Sequence, residues 1–134
     1  AANNDDFLNA IAIVDGVVHG CGADENEAIC LHSDKRVTYD GRTISAATTD
    51  GGTLYLAGTD ENGACIWSGT DKTSFEEQND SGWATSLAVD NGDIVAVGNY
   101  NFGLSKRRAW YWTGGELTVI LEAEGARVND VWID

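Results

Sequence analysis

Three stretches of this chain gather residue types that could do chemistry. Ala23-Asp24-Glu25-Asn26-Glu27 and Thr59-Asp60-Glu61-Asn62-Gly63 are near copies, each built on Asp-Glu-Asn. The third, Asn99 to Arg108, is longer, with Tyr100 and Phe102 near its start and Lys106, Arg107 and Arg108 at its end. Carboxylate and amide oxygens are the hard ligands that Ca²⁺ takes, roughly six to eight at a time, and Asp24 and Asp60 would lead such a site. The spacing departs from the EF-hand loop, and no bidentate Glu closes either stretch. Solvated turns are therefore the better reading, and no metal or cofactor is expected. In the third stretch Tyr100 and Phe102 could stack on a ligand while Lys106, Arg107 and Arg108 pair with anions. The alternative is that the rings pin their own loop and the cations answer neighbouring Asp and Glu.

Trp83 stands beside Ser81 and Gly82 between two apolar stretches, where the ring could stack on the face of a sugar or simply cap a blade. Trp67, Trp110, Trp112 and Trp132 fall at recurring positions inside apolar runs, which argues for packing. His19 and His32 have no spacing to Cys that would make a zinc site. No local Ser, base and acid arrangement suggests a nucleophile. Two carboxylates could serve glycoside hydrolysis, but with 22 acidic residues in the chain their proximity alone says little. No catalytic residue is named, and the chain reads as non-enzymatic. If Gly22 faces Ile29 across a hairpin, Cys21 faces Cys30, close enough for a disulfide. A one-residue slip removes that pairing and leaves three buried thiols. With the disulfide formed, Cys65 is single, either buried or reactive.

The chain has 134 residues, enough for one domain with a useful core, and a hydrophobic fraction of 43% that belongs to globular proteins. Net charge is −14. Nucleic acid is a poor partner for it, because phosphate binding needs concentrated Lys and Arg. Like charge keeps molecules soluble, and the same charge could attract cations or basic partners. No apolar stretch is long enough for a membrane span. The opening Ala1 to Asp6 lacks Met and reads as a disordered end. It suits a mature chain after signal cleavage and a proteolytic fragment alike.

The elements that must position these groups repeat. Apolar runs close on Asp15, Asp50, Asp90 and Asp134, which stand 35, 40 and 44 residues apart. Second apolar runs close on Gly22, Gly58 and Gly98, 36 and 40 apart. Each full copy then adds an acidic or polar loop, a third apolar run, a short turn and a weaker polar strand. Asp15-Gly16 and Asn91-Gly92 are hairpin turns by type. Apolar residues on both faces of the second runs fit sheets packed on both sides. A period of this length made of short strands predicts an all-β, β-propeller-type repeat. Residues 1–134 form a single domain of three four-stranded blades, with units at about 8–43, 44–83 and 84–127. One extra terminal strand, 128–134, starts a fourth. Three blades cannot close a ring, so a second copy or missing blades of a longer chain complete it.

Trp67-Ser68-Gly69 and Trp112-Thr113-Gly114, each followed shortly by Thr, resemble blades of secreted bacterial β-propeller repeat proteins. The resemblance covers nearly all of residues 8–134. The Gly-His and Trp-Asp marks of WD40 repeats are absent, and the double-Gly pattern of kelch repeats is not met. Ser68 to Phe75 has a faint likeness to the Asp-box of sialidase-like propellers, without its Gly after Asp. The resemblance implies a secreted, periplasmic or cell-surface location and a binding or interaction scaffold for a protein or glycan ligand. Two copies could form a six-bladed homodimer. A lectin-like module, or the remnant of a propeller glycoside hydrolase, is the competing expectation.

Overall fold

The computed structural model describes residues 7–75, 82–102, 106–123, 128 and 131. These contain twelve strands and no helix. The first sheet holds β1 (Phe7–Val14), β2 (Val17–Asp24), β3 (Glu27–His32) and β4 (Lys35–Tyr39). The second holds β5 (Thr43–Asp50), β6 (Thr53–Asp60), β7 (Gly63–Ser68) and β8 (Asp71–Ser74). The third holds β9 (Gly82–Asp90), β10 (Asp93–Phe102), β11 (Lys106–Thr113) and β12 (Glu116–Ala123). Each sheet is an antiparallel meander in chain order. The β1–β2 turn places Asp15 and Gly16 at φ 49° and 82°, and the β9–β10 turn places Asn91 and Gly92 at 50° and 83°. Positive φ at both central residues is what a type I′ hairpin demands.

First strands begin earlier than their apolar runs. Each carries a register shift, at Leu8/Ala10 in β1, Ile44/Ala46 in β5 and Val97/Gly98 opposite β9. A bulge breaks the two-residue alternation, so the residues before it do not read as the same strand. Trp83 therefore lies inside β9, opposite Asn99, and not between units. The bulge also explains the Gly landmarks. A Cβ on Gly22, Gly58 or Gly98 would collide with the backbone carbonyl of Phe7, Thr43 or Trp83 respectively. Space, not φ, requires Gly at these three places.

The middle sheet is buried on both faces. Leu56, Cys65 and Trp67 join Cys21, Ala28 and Cys30 of the first sheet in one core, together with Ile44. Tyr55, Ala57 and Ile66 point the other way and join Ala84, Leu87, Ala96 and Trp110 of the third sheet. β1 lies beside β5, and β5 beside β9. The seams repeat in detail. Tyr39 meets Trp67 edge-on at 5.9 Å across the first, and Phe75 stacks on Trp112 at 5.2 Å across the second. The bulge residue Asn9 donates its side-chain amide to the carbonyl of Ile44 (3.2 Å), and Thr85 donates its hydroxyl to the carbonyl of Val128 (2.8 Å).

The outer face of the first sheet is uncovered. Ile11 is 69% exposed, Ile13 59%, Val18 52% and Leu31 39%. Apart from Val128 and Val131, the expected terminal strand 128–134 and its Trp132 lie outside the described residues, as does the opening Ala1 to Asp6.

Candidate functional site

The β2–β3, β6–β7 and β10–β11 connections lie at equivalent ends of the three meanders. Asp24 and Asp60 stand at the last residues of β2 and β6 and are held by cations from the outer strands of their own sheets. Asp24 pairs with Arg36 at 2.5 Å. Asp60 is 2% exposed. It accepts from Ser74 Oγ (2.5 Å), Asn62 N–H (2.8 Å) and Lys72 Nζ (3.1 Å). Burial alone would raise its pKa, but the hydrogen bonds from Ser74, Asn62 and Lys72 prevail and hold it below the usual carboxylate range. Lys72 also reaches Asp40 of the first sheet at 3.1 Å. Asp60 is thus not solvated and Asp24 only partly so, while Glu25, Asn26, Glu61 and Asn62 are exposed turn residues, as expected. Lys72 supplies the positive charge that a bound cation would otherwise bring to Asp60. Among the described residues no group of three or more His, Cys, Asp or Glu is disposed to hold a metal.

The third stretch is not a loop over most of its length. Asn99 pairs with Ala109, Tyr100 with Arg108, Asn101 with Arg107 and Phe102 with Lys106, so the β10–β11 ladder runs as far as Phe102 and Lys106. Cross-strand pairing satisfies the backbone there, so a polar, aromatic sequence that looks loop-like forms strand. Strand alternation then divides the expected site between two faces. Tyr100 turns into the core between the second and third sheets and is 9% exposed, with its hydroxyl accepting from Arg108 at 3.0 Å. Arg107 lies over the half-buried Trp83 ring, 5.2 Å from its centre, and donates to Asn101 at 3.3 Å. Lys106 is exposed at the start of β11. The side chain of Phe102 lies outside the described residues.

Cys21 faces Cys30 in the β2–β3 register, and the two form a disulfide with Cα atoms 4.1 Å apart. Cys65 is fully buried beside them, and burial pushes its thiol well above the ordinary range. His19 and His32 sit opposite one another on β2 and β3, rings stacked 4.4 Å apart. Burial, then the neighbouring His32, lowers the His19 pKa. A histidine with a lowered folded pKa binds its proton more readily when unfolded. Stability is therefore fully present above the unfolded value and falls as the pH drops through that value toward the folded one. Urea midpoints are expected to decline between about pH 7.5 and 5.5, and His19→Gln should flatten that decline. An unchanged slope in the variant would remove the assignment.

A cleft of about 780 Å³ opens between the first and second sheets at the same end. Its walls include Phe7, Glu25, Asn26, Arg42, Thr43 and Thr59. Phe7, Arg42 and Thr43 carry no site motif in the sequence. Their one signal is Arg42 itself, a lone cation between the end of one unit and the start of the next. Comparison of the chain with family models, with curated proteins and with solved structures finds no match to any of them.

Proposed function

We propose that this chain contributes propeller-type blades to a non-enzymatic binding scaffold that works outside the cytoplasm. One observation carries the reading. The outer face of the first sheet, with Ile11, Val18 and Leu31, is the repeat equivalent of the face that the second sheet packs on the first with Ala47, Leu54 and Trp67. A face built to the same pattern calls for a unit of the same kind against it, because an open apolar sheet face is unfavourable in water. The recurring seam contacts point the same way. Val128 takes from Thr85 the hydrogen bond that Ile44 takes from Asn9, as the head of a following unit would. The Cys21–Cys30 disulfide suits an oxidising compartment. Asp60, held below its usual range, is unsuited to act as a general acid.

A second copy is the simplest source of the covering unit, in a head-to-tail ring of six sheets. Sedimentation at about 10 µM is expected to show a particle of twice the chain mass. The double substitution Ile11→Lys and Val18→Lys, on exposed positions, should return it to one chain without unfolding it. A folded single-chain particle at every concentration would rule out the paired ring. The carbohydrate-binding reading is favoured by a different observation, the inter-sheet cleft that brings Phe7 and Arg42 together.

A further inference from the structure

We propose that the cleft between the first and second sheets binds one neutral pyranose unit of a glycan, held by Arg42 and Glu25 and stacked on Phe7. The proposal deepens the binding reading and rests on it, but not on ring completion, since both walls come from this one chain.

Arg42 is the centre of the argument. It is exposed, its main-chain N–H is fixed to Thr59 O at 2.8 Å, and its guanidinium has no ion-pair or hydrogen-bond partner among the described residues. By contrast, Arg36 and Lys72 are both paired. The fixed backbone sets where the side chain starts, and the planar guanidinium offers its donors as a ready-made fork, which limits the entropy lost per hydrogen bond formed. Opposite it, Glu25 and Asn26 form a turn in which both hold positive φ, 48° and 70°. These are the angles of a type I′ turn closing the β2–β3 hairpin between Asp24 and Glu27. The turn puts Glu25 and Asn26 in the lining of the cleft on the first-sheet side. Thr43 Oγ1 is buried in the second-sheet wall with no hydrogen-bond partner among the described residues. Rotation about χ1 would offer it one from the cleft.

This donor and acceptor set matches adjacent hydroxyls. A guanidinium donates to two neighbouring oxygens, a carboxylate oxygen accepts a hydroxyl proton, and an amide does one of each. Phe7, 52% exposed, supplies an apolar ring for the C–H face of a sugar. The volume is that of a small-ligand site. An acidic ligand fits less well, because Glu25 stands in the cleft and Asp40 and Glu61 share a smaller adjoining recess with Arg42. Their charge would repel a carboxylate.

Saturation-transfer NMR with the methyl pyranosides of glucose, galactose, mannose and N-acetylglucosamine tests this, with galacturonate as the acidic arm. At least one neutral pyranoside should bind saturably, with a Kd on the order of 1 mM. Arg42→Gln and Phe7→Ala should each weaken it about tenfold, with melting unchanged because both side chains are exposed. Trp83→Ala, on the third sheet, should leave it intact. No saturable signal from any neutral sugar at ~20 mM, or a signal indifferent to Arg42→Gln, overturns the proposal. Tighter binding of galacturonate overturns the assignment of a neutral ligand. A single-chain particle in sedimentation, with sugar binding retained, would sink the paired ring and leave this site standing.

Discussion

Gly58→Ala is expected to cost the fold at least about 3 kcal/mol, enough to unfold much of a small domain. The added methyl would fall on the backbone carbonyl of Thr43, with Ile44 Cα also close. A side chain could swing aside, but this carbonyl belongs to a strand pinned on both sides. β5 pairs with β6 and lies beside both β1 and β9. Moving it would disturb two seams at once. Gly16→Ala is the matched control. Its Cβ would meet nothing within 4 Å, so only its positive φ of 82° is at stake, a loss of about 1 kcal/mol. Urea denaturation of both variants reads the difference. The close-approach account would be falsified if Gly58→Ala lost no more stability than Gly16→Ala. Gly22→Ala and Gly98→Ala should follow Gly58→Ala, because their methyls would meet the carbonyls of Phe7 and Trp83.

These glycines show how much of the fold the sequence makes legible. Their recurrence marks three units, and each unit is a four-stranded meander. The Cys21–Cys30 register is readable because a tight turn fixes which residues oppose one another. The bulges at Asn9, Ser45 and Thr85 are not readable. An inserted residue leaves no mark of composition, and it displaces every apolar residue before it to the other face. Trp83 shows the consequence, since a residue that looks like a linker aromatic is a strand residue beneath Arg107. The Asp-Glu-Asn stretches mislead for a different reason. Acidic residues at a turn look solvated until their partners are known, and Ser74 and Lys72 lie more than ten positions beyond Asp60. The cleft is the least legible feature. Phe7, Glu25 and Arg42 come from three separate segments, and only the packing of two sheets brings them together.

Trp67→Ala should be the most damaging of the Trp67 and Trp83 truncations, at about 3–5 kcal/mol. Trp67 is 1% exposed at the seam between the first and second sheets. Tyr39 packs edge-on against it at 5.9 Å, and Gly41 lies so close that an added Cβ would come within 2.6 Å of its ring. Deleting the ring leaves a cavity whose walls are two separate sheets, which cannot collapse without losing the seam. Trp67→Phe isolates the packing term. Nε1 of Trp67 is buried and has no hydrogen-bond partner among the described residues. Replacing it with a hydrocarbon edge removes an unsatisfied donor and so offsets part of the lost volume. The Phe variant is expected to lose less than about 1.5 kcal/mol. Cys65 provides a second readout, because it shares this cluster and is fully buried. In the Ala variant its thiol should react with an aromatic disulfide reagent under native conditions, while in the wild type and the Phe variant it should stay protected. Equal losses for Phe and Ala would mean that partly filling the seam recovers nothing, and the cavity account of this position would fail.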